Sequence, residues 1–366
     1  MASRFAKHAP LLALGVLALL AGMWAGLIRI GWDWPPLQLR LPSAHGPLMI
    51  SGFLGTLISL ERAVALAAPA NGGRRRWTYT APLVTALGGT ALLLGLPDPI
   101  GRGLITLGSL ALVAVLGLII RLRTTWDTVV MGLGAALWLI GNALWWSGQP
   151  TYQVTPWWIG FLVLTIAGER LELARVLLLR RNAQLMFLGS VGVFLAGLLA
   201  SVVSFNLGVR IGGVGLAALG LWLFQHDSAR RTIRHSGLTR FIAACLLPGY
   251  LWLIFAGGIW IAGNFSGGQT YDAAVHSVLL GFVFSMIFGH APSILPAVLN
   301  APVTFRPIYY AHLALLHASL ALRLIGDFAP EPSLRALGGL LNVAAILLFM
   351  GNTLRALRVS AVPLAQ

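Results

Sequence analysis

Charge is what this sequence has least of. Only 10% of its 366 residues are Asp, Glu, Lys or Arg, and ten are acidic. Soluble domains carry about a quarter of their residues charged. With 58% hydrophobic residues and a mean hydropathy of +0.84, a soluble function is excluded and the chain reads as a polytopic membrane protein. Cysteine is almost missing as well. The single Cys245 lies in an apolar span, which excludes an intrachain disulfide framework and a cysteine-ligated metal centre. Lysine is the third scarcity: all but one of the 25 basic residues are arginine, a bias to which no mechanism attaches.

The net charge of +15 would point to nucleic acid in a soluble domain. Here the basic residues form short clusters between apolar runs, so the charge reads as membrane orientation and nucleic acid is excluded as a partner. Arg4 and Lys7 before an apolar run resemble a signal peptide, but the run continues to Ile28 without a small-residue cleavage site. It is expected to be a retained first span.

A bilayer core of about 30 Å needs about twenty apolar residues per helix. That ruler predicts an all-α protein of twelve transmembrane helices, near 9–30, 46–68, 78–97, 102–121, 127–147, 156–179, 183–204, 207–226, 240–263, 272–298, 304–325 and 333–357. With the N-terminus inside, the cytoplasmic segments hold Arg4, Lys7, Arg74, Arg75, Arg76, Arg121, Arg123, Arg180, Arg181, Arg230, Arg231, Arg234, Arg240, Arg306, Arg355 and Arg358. The opposite side holds only Arg29, Arg40, Arg102, Arg210, Arg323 and Arg335, so both termini are expected in the cytoplasm.

Histidine is sparse, but two residues share one span. His276 and His290 lie fourteen residues apart in Tyr271–Val298, about 21 Å along an α-helix and nearly on the same face. Ionisable side chains inside a membrane usually face a protein interior or cavity, and a neutral imidazole is a good metal or haem ligand. Pro292 leaves the carbonyl of Phe288 free beside His290. The plain alternative is a kinked packing helix with two satisfied histidines. His45 ends the Trp- and Pro-rich outer loop Gly31–Gly46 at a depth matching that of His276, so one iron could be ligated from opposite faces.

A weak repeat relates three spans. Gly52-Phe53 is followed by Glu61, Gly160-Phe161 by Glu169, and Gly281-Phe282 by His290, with identical spacing. This predicts a single domain of three four-helix pseudo-repeats, about 1–125, 126–238 and 239–366. The next span adds His312 and His317, about 140° apart around the helix. An inner second haem or metal site from His290 and His312, with Glu61 or Glu169 as oxygen ligand or proton carrier, is one reading, and His317, nearer the outer half, is a further metal candidate. Hydrogen bonding between helices is the other. Glu172 and Arg175 can pair on one helix face, and Arg62 or Arg170 can grip haem propionates or pair structurally.

Two motifs carry a resemblance. SAHGPLMISGF in the second span resembles the His-Gly-x-x-Met motif of haem-copper oxidase subunit I, and His276 matches the other axial ligand of the low-spin haem there by helix number and depth. His276, Gly281 and Met286 are similar to a late-helix pattern of the NnrS family, membrane proteins linked to nitric oxide stress and reported to carry haem and copper. Ala274 stands where the oxidases have their catalytic-haem histidine, and 183–205 holds no histidine pair for copper.

The resemblance therefore implies a haem protein of the bacterial cytoplasmic membrane rather than an oxygen-reducing terminal oxidase. A b-type haem would sit between His45 and His276, with Arg62 and Arg170 as further cofactor contacts and copper or another second metal as an added candidate. The implied activity is electron transfer or nitric oxide handling, an oxidoreductase being one outcome, with the bilayer and a redox protein as partners. A proton-coupled secondary transporter and a non-catalytic assembly or sensor protein for respiratory complexes are the alternatives.

Overall fold

The computed structural model describes residues 2–67, 75–174, 180–263, 265–299, 304–329 and 331–360. Arg74 and Arg175, which entered the charge count and the Glu172 pairing, lie outside them. The described residues are helical with no strand. In chain order the long elements are α1 (Ala2–Arg29), α2 (Leu41–Ala67), α3 (Thr80–Leu93), α4 (Asp98–Leu122), α5 (Trp126–Trp146) and α6 (Thr151–Ala174). After these come α7 (Arg181–Val203), α8 (Phe205–His226), α9 (Gly237–Ala262), α10 (Gly268–His276, continuing through Ser277–Phe284 and Ser285–Leu299), α11 (Tyr309–Phe328) and α12 (Pro332–Ser360). Ten of the described helices are long and apolar enough to cross a membrane, as a multi-pass membrane protein requires. The exceptions are α3, which has only 14 residues, and α6, which carries Tyr152, Gln153, Glu169, Arg170 and Glu172.

The chain forms two compact units, Met1–Phe161 with Val298–Asn300 and Leu162–Ala297 with Ala301–Gln366. In the first, α1 packs on α2 and α3, α3 on α4 and α4 on α5, as short connections favour. Thr125 and Thr128 cap α5 reciprocally. Trp138 of α5 stacks on Phe161 with centroids 4.7 Å apart and donates its indole N–H to Ser51. In the second unit α7, α8 and α9 pack in sequence, and α11 on α12. Glycine makes the α7–α8 contact: a Cβ at Gly197 would overlap the backbone of Gly212, and one at Gly208 that of Ser201. Small residues bring membrane helices this close, where dispersion rather than the hydrophobic effect holds them. Leucines and valines turned away from these contacts, such as Leu199, Val202 and Leu207, are exposed.

Two helices share a departure from α geometry. After His45, α2 becomes π-helical over Leu48–Gly55; after His276, α10 does so over Ser277–Phe284. Each stretch has eight residues, with Gly52-Phe53 and Gly281-Phe282 as its fifth and sixth. Gly160-Phe161 lies in α6, which is uninterrupted α-helix. The π stretch also corrects the shared-face expectation for His276 and His290. Its N–H groups reach back five residues instead of four, so the segment winds more slowly than the α-helix used for that estimate.

Candidate functional site

His45 occupies the single α turn His45–Pro47 ahead of the π stretch. Its Nδ1–H donates to the carbonyl of Gly22 at 2.7 Å. A carbonyl can only accept, so the ring is the Nδ1–H tautomer, with Nε2 as its lone-pair nitrogen. The seat is built by glycine. A Cβ at Gly26 would lie 2.8 Å from Cε1 of His45, and one at Gly22 would lie 2.7 Å from Sδ of Met49. The His-Gly-x-x-Met side chains thus fit two glycines spaced i, i+4 on α1.

His276 ends the first segment of α10 and repeats the same local chemistry. Its Nδ1–H donates to the backbone carbonyl of Asp272 at 2.8 Å, and Oδ1 of Asp272 lies 3.4 Å from the same nitrogen. The Asp272 carboxylate also takes Arg323 at 2.7 Å and Arg335 at 3.2 Å. Arg335 Nε lies 2.8 Å from Oδ1 of Asp327, whose side chain is fully buried. Both Asp327 oxygens lack a hydrogen bond, so this second contact is an ion pair without hydrogen-bond direction. Glycine again brings the parts together: a Cβ at Gly338 would lie 2.5 Å from the amide of Arg323, and one at Gly326 would overlap the backbone of Arg335.

The other motif positions pack. A Cβ at Gly281 would overlap Trp252, and one at Gly249 would lie 2.5 Å from Cε of Met286. Gly281 and Met286 thus fit α10 against α9. Trp252 donates its indole N–H to Nδ1 of His317 at 3.0 Å, so His317 carries its proton on Nε2, which lies 3.4 Å from Ser285 Oγ. Ser285 in turn donates to the carbonyl of Cys245.

At the other end of α10, Nδ1–H of His290 donates to the Met286 carbonyl at 2.7 Å, and Nε2 accepts from Arg170 at 3.1 Å. Arg170 forms a two-bond ion pair with Asp227, Nε to Oδ2 at 2.7 Å and Nη2 to Oδ1 at 2.8 Å, with side-chain exposures of 5% and 1%. Asp227 also accepts the amide of Ala229, holding the single turn Ala229–Thr232. Arg170 is therefore committed to protein groups rather than extended toward a propionate. Glu169 is partly buried on the residue before it, and Glu61 sits 4.0 Å from Arg62 in α2.

His312 is fully buried among Phe241, Phe288, Tyr309 and Phe349, with Phe288 edge-on at 4.9 Å. Asn352 donates to its Nδ1 at 3.2 Å. The histidines considered as metal ligands take separate partners: Arg170 and Met286 for His290, Asn352 for His312, Trp252 and Ser285 for His317. Among the described residues no three His, Cys, Asp or Glu side chains are grouped to hold a metal ion.

Asp227 and Asp272 join the candidate residues through contacts that the motifs do not show. Asp227 stands alone among Arg230, Arg231 and Arg234, and a lone acid in a basic segment between apolar runs is its signal in the sequence. Asp272 lies four residues before His276, the spacing at which helix side chains meet. A family model described as Domain of unknown function (DUF8744) matches residues 8–358. No curated protein matches the chain.

Proposed function

The chain belongs to this family, whose description assigns no activity, and we propose that it is a membrane haem protein with His45 and His276 as the axial ligands of a low-spin haem. One observation carries the reading. In each unit the candidate imidazole donates Nδ1–H to a backbone carbonyl, at 2.7 Å for His45 and 2.8 Å for His276. Metal-bound histidines are held this way: the bond on one nitrogen sets the tautomer, orients the ring and raises the basicity of the other. Both rings are only partly buried, and both stand at the entrance of a π-helical stretch, a feature frequent at functional sites. Each ring thus presents Nε2 as the nitrogen through which it would ligate an iron.

A bound haem would supply a one-electron couple, and the activity we assign is electron transfer or nitric oxide handling in the membrane. The chain's own contribution is ligation and burial. Gly26 lets the His45 ring lie against α1, while Asp272 and its arginines hold the His276 end. The topology we assign is twelve spans with both termini cytoplasmic, because the basic residues concentrate on one side. The matching registers of Gly52-Phe53 and Gly281-Phe282 support an α2/α10 correspondence within pseudo-repeats.

The reduced-minus-oxidised absorption spectrum of the purified protein tests the reading. Split α and β bands of a low-spin haem are expected; a protein purified from haem-replete membranes with no such bands would remove it. A second reading, a proton-coupled transporter, is favoured by the buried chain Asp227–Arg170–His290, since ionisable groups inside membrane bundles often mark transport paths. It predicts an intact protein without haem bands.

A further inference from the structure

We propose that Asp272 and Arg323 set the reduction potential of the haem in opposite directions, acting through His276. This rests on the assignment of His276 as a ligand. The Nδ1–H of His276 donates to the backbone carbonyl of Asp272 at 2.8 Å, and the Asp272 carboxylate lies beside the same nitrogen, with Oδ1 at 3.4 Å. A carbonyl bond on the N–H of a ligating imidazole, with a carboxylate charge beside it, makes Nε2 a stronger donor. Stronger donation and nearby negative charge both favour the ferric form and lower the potential.

Asp272 does not act alone. Arg323 covers its Oδ2 with Nη2 at 2.7 Å and Nε at 3.3 Å, and Arg335 approaches the same oxygen at 3.2 Å. The oxygen facing His276 is Oδ1, and the oxygen facing the arginines is Oδ2. One carboxylate is thus shared between the candidate ligand and two guanidinium groups, which limit the negative charge it offers the imidazole. Asp327 draws on Arg335 from the other side at 2.8 Å, so Arg335 divides its charge between two carboxylates while Arg323 spends both its contacts on Asp272. Arg323 is therefore the stronger moderator.

Asp272 and Arg323 are positioning residues in this account, and a purely structural ion-pair network makes a different prediction. Loss of either partner would then loosen α10 and move the potential the same way, if at all. Spectroelectrochemical titration of the purified haem-loaded protein separates the two. Asp272→Asn is expected to raise the midpoint, Arg323→Gln to lower it, Arg323→Lys to stay near wild type, and the double replacement to fall between the single variants. Should Asp272→Asn fail to assemble, Arg323→Gln decides, because its midpoint must fall. Shifts of the same sign, or an unmoved midpoint with intact bands, overturn the inference and leave the ligand assignment standing. A wild-type protein without haem bands overturns both.

Discussion

Arg170 and Asp227, 57 positions apart, close a two-bond ion pair that is almost fully buried, and the remaining nitrogen of Arg170 reaches His290. Removing one member of such a pair strands the other charge in the interior, at a cost of about 3–5 kcal/mol. Asp227→Ala is expected to lower stability by that order, and thermal unfolding in detergent micelles measures it. Replacing both, Arg170→Met with Asp227→Leu, is expected to recover most of the loss, because the pair's desolvation cost disappears with its attraction.

Gly26 bears directly on His45. An alanine there would bring a methyl carbon to 2.8 Å from the imidazole Cε1, so the ring must shift and its bond to Gly22 must lengthen. Gly26→Ala is expected to reduce haem content after purification. Gly117→Ala is the control: its Cβ meets nothing within 4 Å, and the exchange gains up to about 1 kcal/mol of helix propensity with haem content unchanged. The haem-to-protein ratio by pyridine haemochrome assay checks both.

The Gly281–Trp252 contact makes a separate prediction. A Cβ at Gly281 would overlap the indole, and overpacking of this kind costs about 1–3 kcal/mol. Gly281→Ala is expected to destabilise the protein by that order in thermal unfolding. Adding Trp252→Leu is expected to relieve part of the strain while releasing the indole bond to His317.

Much of the helical framework was legible in the sequence because a membrane helix announces itself through its own apolar run. Gly237–Ala262 and Tyr309–Phe328, for example, lie within a few residues of the spans predicted at 240–263 and 304–325. The candidate ligands stood out for the same local reason, as ionisable side chains in apolar surroundings. What surrounds them did not. Arg323 and Arg335 count by position as outer-side topology charges, yet they hold Asp272 and Asp327, because long-range pairing leaves no mark on nearest-neighbour spacing. The π stretches were hidden too. A change from four-residue to five-residue hydrogen bonding alters no composition, and Leu48–Gly55 and Ser277–Phe284 read simply as apolar runs.

Orientation can be checked with thiol chemistry. Cys245 is fully buried, so single introduced cysteines report alone. Leu39, 93% exposed in the loop before α2, is expected on the outer side, and Arg231, exposed beyond α8, on the inner side. A membrane-impermeant maleimide on intact cells should label Leu39→Cys and spare Arg231→Cys until the membrane is opened. The reverse pattern would invert the assigned topology.

The most direct test of the central claim is the low-temperature electron paramagnetic resonance spectrum of the oxidised protein, compared among wild type, His45→Ala and His276→Ala. The account predicts a low-spin ferric signal in the wild type, converted to high-spin or lost in each single variant. A low-spin signal that survives unchanged in either variant would contradict it.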